Sequence, residues 1–283
     1  GPRIVAGENP RKPRTRQRML NLIRLTVRRA RKERLPQIAG SLTFTTVLSI
    51  APFLAVSFAL FTRFPVFKRF EDALEEHLLK SLLPPDISRT VLRYLNQFAA
   101  NANDLTLVGS LFLLAAAIAL LLTVENAFNQ IWNVKKNRPF FKRVGMYALM
   151  LALGPPLLGV SLWATSYVLG ASLGLIGSLP PSLRFVLNLG PALLSLAIVT
   201  GLFYFVPNTK VRRRDAIVGG LIAAIALDLG KHGFTTYLLK VPTYKAVYGA
   251  FALVPVFLLW VYFSWLVTLA AALVAANLAH RDA

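Results

Sequence analysis

Six apolar runs, each long enough to cross a bilayer, constrain this chain more than any other feature. They cover about 38–62, 105–132, 143–170, 183–206, 215–239 and 246–278. A hydrocarbon core of roughly 30 Å needs about 20 apolar residues in a helix. The second run is the clearest, LTLVGSLFLLAAAIALLLTV from Leu105 to Val124. The first is the most polar, with Ser41, Thr43, Thr45, Thr46, Ser49 and Pro52 among its apolar residues. Pro52, Pro155, Pro156, Pro191 and Pro255 lie inside runs. Helices in lipid tolerate this where neighbours satisfy the freed carbonyls.

Composition sharpens the reading. Hydrophobic residues make up 55% of the 283 and charged residues only 16%, with a mean hydropathy of +0.56. Soluble domains carry about 25% charged residues. Yet the formal net charge is +20. High apolarity and high positive charge rarely share one soluble core, but they coexist readily when basic residues collect in loops on one side of a membrane. A soluble enzyme, a disordered tail protein and a disulfide scaffold are disfavoured. With no cysteine, thiol chemistry and cysteine-ligated metal are excluded.

The basic residues orient the spans. Residues 1–37 hold 12 Lys and Arg, the loop around 133–143 holds five, the loop around 207–214 holds Lys210, Arg212, Arg213 and Arg214, and the tail adds Arg281. That places 22 on one side against nine on the other. The positive side is expected to be cytoplasmic, so both termini are predicted inside with six helices between them. The expected organisation is a basic cytoplasmic arm over 1–37, a six-helix membrane domain over 38–278 and a tail over 279–283. No cleavable signal peptide is expected, because the first apolar run starts near residue 38. Gly1-Pro2 reads as a protease scar.

Two segments outside the bilayer are expected to be helical. From Arg14 to Leu35, Met19, Leu22, Ile23, Val27 and Ala30 recur at helical spacing, with Arg24, Arg28 and Arg31 opposite. A basic amphipathic helix before a span suits an anionic inner leaflet. Basic runs also serve nucleic-acid arms, but no aromatic interleaving or binding-fold signature supports that here. Membrane lipids are the expected partners and nucleic acid is not. The outer loop 63–104 balances six acids with six bases and reads as a helical hairpin around Pro84-Pro85. It is expected to cap the bundle or to dock an envelope partner.

Ionisable groups inside spans need a reason, since each costs at least about 2.5–3.5 kcal/mol at the membrane centre. Asp228, Lys231 and His232 lie in the fifth run at spacings of three and four, which places them on one helical face. Ala224, Gly220 and Ala216 precede Asp228 at four-residue steps. That small-residue ridge is expected to turn the charged face into the bundle. Glu125, Asn126 and Asn129 cluster near the inner end of the second run, and Ser41, Thr45 and Ser49 line the first. Together they predict a substrate or proton pathway between the first, second and fifth helices, opening to the cytoplasm. The alternative is interhelical hydrogen bonding with no cavity. Trp132, Tyr237, Tyr244 and Tyr248 are expected at the membrane interfaces, and Trp260, Tyr262 and Trp265 in packing.

No enzyme motif emerges. His77, His232 and His280 fall in an outer loop, a span and the tail, so no local His-Glu-x-x-His pair forms. Gly230-Lys231 is followed by His232 rather than Ser or Thr, which removes a phosphate-binding loop. No loop is large enough for a soluble hydrolase domain with a nucleophile elbow. The expectation is a protein without cofactor, metal or catalytic residue.

The residues also carry a resemblance. Ala39 to Phe44 (AGSLTF), Glu125 to Trp132 (ENAFNQIW), Pro207 to Val211 (PNTKV), Tyr248 to Ala250 (YGA) and Leu259 to Tyr262 (LWVY) together resemble the YihY/BrkB family of bacterial inner-membrane proteins, once labelled ribonuclease BN. The resemblance covers nearly all of 30–280. It implies a six-helix inner-membrane protein with an export or envelope-related transport role, and the ribonuclease label looks like a misassignment.

The sequence therefore predicts an all-α polytopic inner-membrane protein that moves an amphiphile or small solute, a lipid-like anion first. Arg24, Arg28, Arg31, Lys210 and Arg212 to Arg214 would gather anionic headgroups. With no nucleotide motif, energy would come from a gradient, a partner or nothing. The competing expectations are a scaffold docking envelope machinery and, less favoured, a membrane-bound nuclease. Substrate, direction and oligomeric state stay open.

Overall fold

The computed structural model describes residues 15–62, 97, 107–154, 157, 181–240 and 253–279. The 63–104 hairpin, Tyr244, Tyr248 and the tail from His280 lie outside these, apart from residue 97. Among the described residues all regular structure is helical, in seven elements. They are α1 (Thr15–Lys32), α2 (Leu35–Thr62), α3 (Leu107–Ile131), α4 (140–154), α5 (Pro181–Phe205), α6 (Arg213–Lys240) and α7 (Leu253–Ala279). Helices α2 to α7 fall on the six apolar runs in order. Among the described residues, three stretches are long and apolar enough to cross a membrane: Leu111–Ile131, Arg213–Phe234 and Val254–Ala279. Shorter apolar stretches run over Leu35–Ile50 and Ala192–Phe205.

Local chemistry sets the helix ends. Helix α1 stops at Arg34, whose φ is 55°, and α2 starts at once. Helix α3 stops at Asn133, whose φ is 53°. The Asn133 amide donates to the Gln130 carbonyl at 3.1 Å and the Val134 amide to the Asn129 carbonyl at 2.8 Å. That pair of bonds is a Schellman cap, and asparagine is among the few side chains that accept its left-handed position. Helix α5 opens on Pro181, where a missing amide proton costs nothing.

Helix α7 is the hub, packing on α6, α2, α1 and α3, while α2 also packs on α3 and α5 on α6. Its C-terminal half buries Leu269, Ala271, Ala272, Leu273, Ala275 and Ala276. Alanines let helices approach closely where lipid supplies no hydrophobic drive. The α6 glycines extend the principle. A Cβ on Gly219 would sit 2.8 Å from the Ala275 methyl, and one on Gly220 would collide with Thr200 of α5. Between α3 and α5, Phe128, Trp132 and Phe203 form a cluster with ring centroids 5.8–6.1 Å apart. Trp132 is half-buried and packs on the core.

Candidate functional site

Three basic segments meet at one end of the bundle: α1, the 132–139 loop and the 206–212 loop. Glu125, one turn and a half before the end of α3, anchors them. Its side chain is completely buried. The Tyr147 hydroxyl of α4 donates to Oε2 at 2.5 Å, and Arg143 Nε donates to the same oxygen at 3.2 Å. Arg138 Nε lies 3.6 Å from Oε1, an ion pair without a hydrogen bond. Arg138 Nη2 meanwhile donates to the carbonyls of Phe205 and Val206, each at 3.0 Å. Those belong to the end of α5, where helical carbonyls lack partners and favour a cation. One carboxylate thus links α3, α4, the connecting loop and the end of α5. A charge so buried persists only when paired.

Asn129 continues the lock one turn on. Its side-chain oxygen accepts the Asn208 amide at 2.8 Å, and Asn208 Nδ2 donates to the Lys136 carbonyl at 2.8 Å. On the other side, Arg29 of α1 donates to Asn277 Oδ1 of α7 at 2.6 Å and to the Ile131 carbonyl at 2.9 Å. Asn277 Nδ2 donates to Thr26 Oγ1 at 3.1 Å. Arg29 also pairs with Glu33, which receives Gln130 Nε2 at 3.4 Å.

The first-helix hydroxyls do not join this network. Ser41 is exposed, Thr45 is half-buried and donates to its own helix at the Ser41 carbonyl, and Ser49 is buried. Thr46 instead accepts Trp265 Nε1 of α7 at 3.0 Å. Asn126, a 100° rotation from Glu125, is exposed.

The fifth-run cluster lies elsewhere. Asp228 Oδ2 and His232 Nε2 are 3.7 Å apart, with side chains 63% and 75% exposed, and Lys231 is exposed beside them. The expected inward face is corrected here. Ala216 and Gly220 are buried and Ala224 is half-buried, but Asp228 is outside. Each four-residue step rotates a helix position by about 40°, so three steps carry Asp228 about 120° away from Ala216. The buried line of α6 instead follows Ala216, Gly219, Gly220 and Ala223. The expected pathway between the first, second and fifth helices is corrected with it. Helix α6 packs chiefly on α5 and α7, whereas α2 packs on α3 and α7. Glu125 turns to α4 and the following loop, whereas Asp228 turns outward from α6, so the two clusters do not meet.

The space beside Lys231 lies between α2, α6 and α7. A groove of about 720 Å³ is lined by Val47 of α2, Lys231 and Phe234 of α6, and Val254, Val256, Phe257, Leu258 and Trp260 of α7. Trp260 lies against Phe234 and Phe263, at 5.5 and 5.8 Å between centroids. Gly230 lets Phe263 approach α6 where any Cβ would collide.

Several residues that build the basic end escaped sequence reasoning. Arg138 and Arg143 counted only as loop charges, and Arg29 only as part of a basic arm. Their signal was proximity: both loop arginines follow Glu125 within 18 residues across one tight turn. Asn277 was a lone polar residue in the last turn of an apolar run. Tyr147 carried no signal. Among the described residues, no three His, Cys, Asp or Glu converge as a metal site would require.

Membrane-length apolar helices around a small-residue core define a polytopic α-helical membrane protein. The chain belongs to the family described as virulence factor BrkB, whose profile matches residues 26–283, as the motif resemblance implies. A UPF0761 membrane protein of Ralstonia nicotianae is 50% identical over 257 residues, covering 91% of this chain and 58% of the relative. One from Bordetella petrii is 46% identical over 260 residues, covering 92% and 58%. One from Janthinobacterium is 45% identical over 258 residues, covering 91% and 59%. The chain thus spans about three fifths of the length of these relatives. No solved structure matches it.

Proposed function

We propose that this chain is the membrane part of an inner-membrane carrier that moves an amphiphile or small solute, a lipid-like anion first, without enzymatic chemistry of its own. In this reading it has six spans and both termini are cytoplasmic. Support for the orientation comes from the meeting of α1 and the two basic loops at one end of the bundle, as a positive cytoplasmic face requires.

The observation that carries the reading is the exposed Asp228, Lys231 and His232 on a membrane-length helix, with Lys231 at the wall of an apolar groove. Exposed charge on such a helix is costly, and membrane proteins keep it where it serves a pathway. The groove offers apolar walls to a chain and a cation to a headgroup. The proposed path therefore runs along the first, fifth and sixth spans. Asp228 and His232, 3.7 Å apart, are its proposed proton-handling pair.

The closed packing around Glu125 favours a second reading, a scaffold that transports nothing. One experiment separates the two. The protein is reconstituted in liposomes and transbilayer movement of fluorescent phosphatidylglycerol is followed, with Asp228→Asn and Lys231→Met as variants. Movement above protein-free liposomes, reduced by both variants, is the expected result. Movement untouched by either variant would remove the path from α6. Absence of movement for every lipid and solute tried would favour the scaffold.

A further inference from the structure

We propose that the outward face of α1 is a binding site for the phosphate headgroups of anionic phospholipids, held in a fixed position against the bundle.

The helix divides into three sectors rather than the two its periodicity suggested. One faces the bundle: Leu22, Thr26, Arg29 and Ala30 are half-buried, and Thr26 and Arg29 hold Asn277. A second is apolar and outward, with Met19, Ile23 and Val27 exposed by 62%, 55% and 48%. This corrects the single apolar face expected over Met19, Leu22, Ile23, Val27 and Ala30, which straddles both sectors. The reason is geometric, since Leu22 and Val27 are about 140° apart on a helix. The third sector is basic and exposed, with Arg24, Arg28 and Arg31.

The second and third sectors meet in a groove of about 370 Å³ lined by Ile23, Arg24, Val27, Arg28 and Arg31. Glu33, the only acid of the α1–α2 junction, is engaged by Arg29 and Gln130. Three guanidinium groups beside two aliphatic side chains match a phosphate joined to an acyl region. Guanidinium binds phosphate oxygens through paired hydrogen bonds, and the aliphatic strip sinks into the acyl boundary as an interfacial helix does. A nucleic acid would leave Met19, Ile23 and Val27 in water, and α1 carries no aromatic side chain on which a base could stack. Charge and apolarity together therefore favour a bilayer surface over RNA. Arg29 reaches the Ile131 carbonyl and Asn277 from the same helix, so the site is fixed to the ends of α3 and α7.

The chain has no cysteine, so Val27→Cys accepts one environment-sensitive fluorophore at a single position. The labelled protein is placed in nanodiscs with a rising fraction of phosphatidylglycerol in phosphatidylcholine, and shielding from the neutral quencher acrylamide is measured. Shielding is expected to rise with the anionic fraction and to fall when salt is added. A basic side chain near such a surface contributes about a fivefold gain in affinity. The triple variant Arg24→Gln, Arg28→Gln, Arg31→Gln is accordingly expected to lose the rise in shielding across the whole range of anionic fractions. Arg29→Gln serves as the contrast, loosening α1 while leaving the triad intact. Equal shielding in phosphatidylcholine alone, or in the triple variant, would overturn the site. Shielding produced by added single-stranded RNA and not by anionic lipid would transfer the surface to nucleic acid.

Discussion

Glu125 and Asp228 are both carboxylates within apolar helices, yet the fold treats them oppositely. Glu125 is fully buried, bonded to Tyr147 and Arg143, with Arg138 beside it. Asp228 is mostly exposed and meets His232 at 3.7 Å. The first is a structural clamp whose loss would release several segments together. The second meets, among the described residues, only its own helix at His232. An ionisable residue in a span is thus not by itself a sign of a pathway. Its partners decide whether it stabilises the bundle or is free to act.

The comparison can be broken most directly at Glu125. Glu125→Ala leaves Arg138 and Arg143 partly buried without their anion and is expected to cost about 3–5 kcal/mol. Thermal unfolding in detergent, or a collapse of folded yield, would register it. An unfolding midpoint within a degree or two of the parent would show that the clamp is not holding the end together.

Arg29→Ala removes charge-assisted bonds to Asn277 and Ile131, with an expected loss of about 1.5–3 kcal/mol. Hydrogen exchange should quicken in α1 and in the last turn of α7 while α6 stays unchanged. Uniform quickening would mean that the α1 anchor is not local.

Glycines of α6 sharpen the contrast along one helix. Gly220→Val drives a side chain into Thr200 and is expected to destabilise by about 1–3 kcal/mol. Gly233 has nothing within 4 Å of an added Cβ, so Gly233→Ala is expected to stabilise by up to about 1 kcal/mol through helix propensity. A matching response at both positions would show that the tight and open parts of α6 do not differ.

The smallest stability effect is expected at Asp228. Asp228→Asn should stay within about 0.5 kcal/mol of the parent in detergent, even as it lowers the proposed transport. A large loss of stability would assign Asp228 a structural partner and erase the contrast with Glu125.

Much of the scaffold was legible in the residues. Apolar runs placed helices α2 to α7, and loop charges anticipated the segments that meet at one end. Basic amphipathic spacing placed α1, although its outward face proved to have two chemistries. The polar clusters were visible as residue types but not as partners. Glu125 showed as an ionisable group in a span, while the arginines that hold it counted only as topology signals. Small residues before Asp228 marked a close approach correctly at Gly220, but misled at Asp228, because each four-residue step overshoots a helical turn by about 40°.

The sequence by itself determined what depends on local period and solvent transfer: helical runs, their apolarity and the membership in a membrane-protein family. Only the tertiary structure decided which helix lies beside which. Turning Glu125 toward α4 and Asp228 outward from α6 kept the two clusters apart. Burying Glu125 among Arg138, Arg143 and Tyr147, and leaving Lys231 at a groove wall, follow from the placement of the helices. The fold depends on contacts between residues as many as 251 apart, and no local period encodes such a pairing.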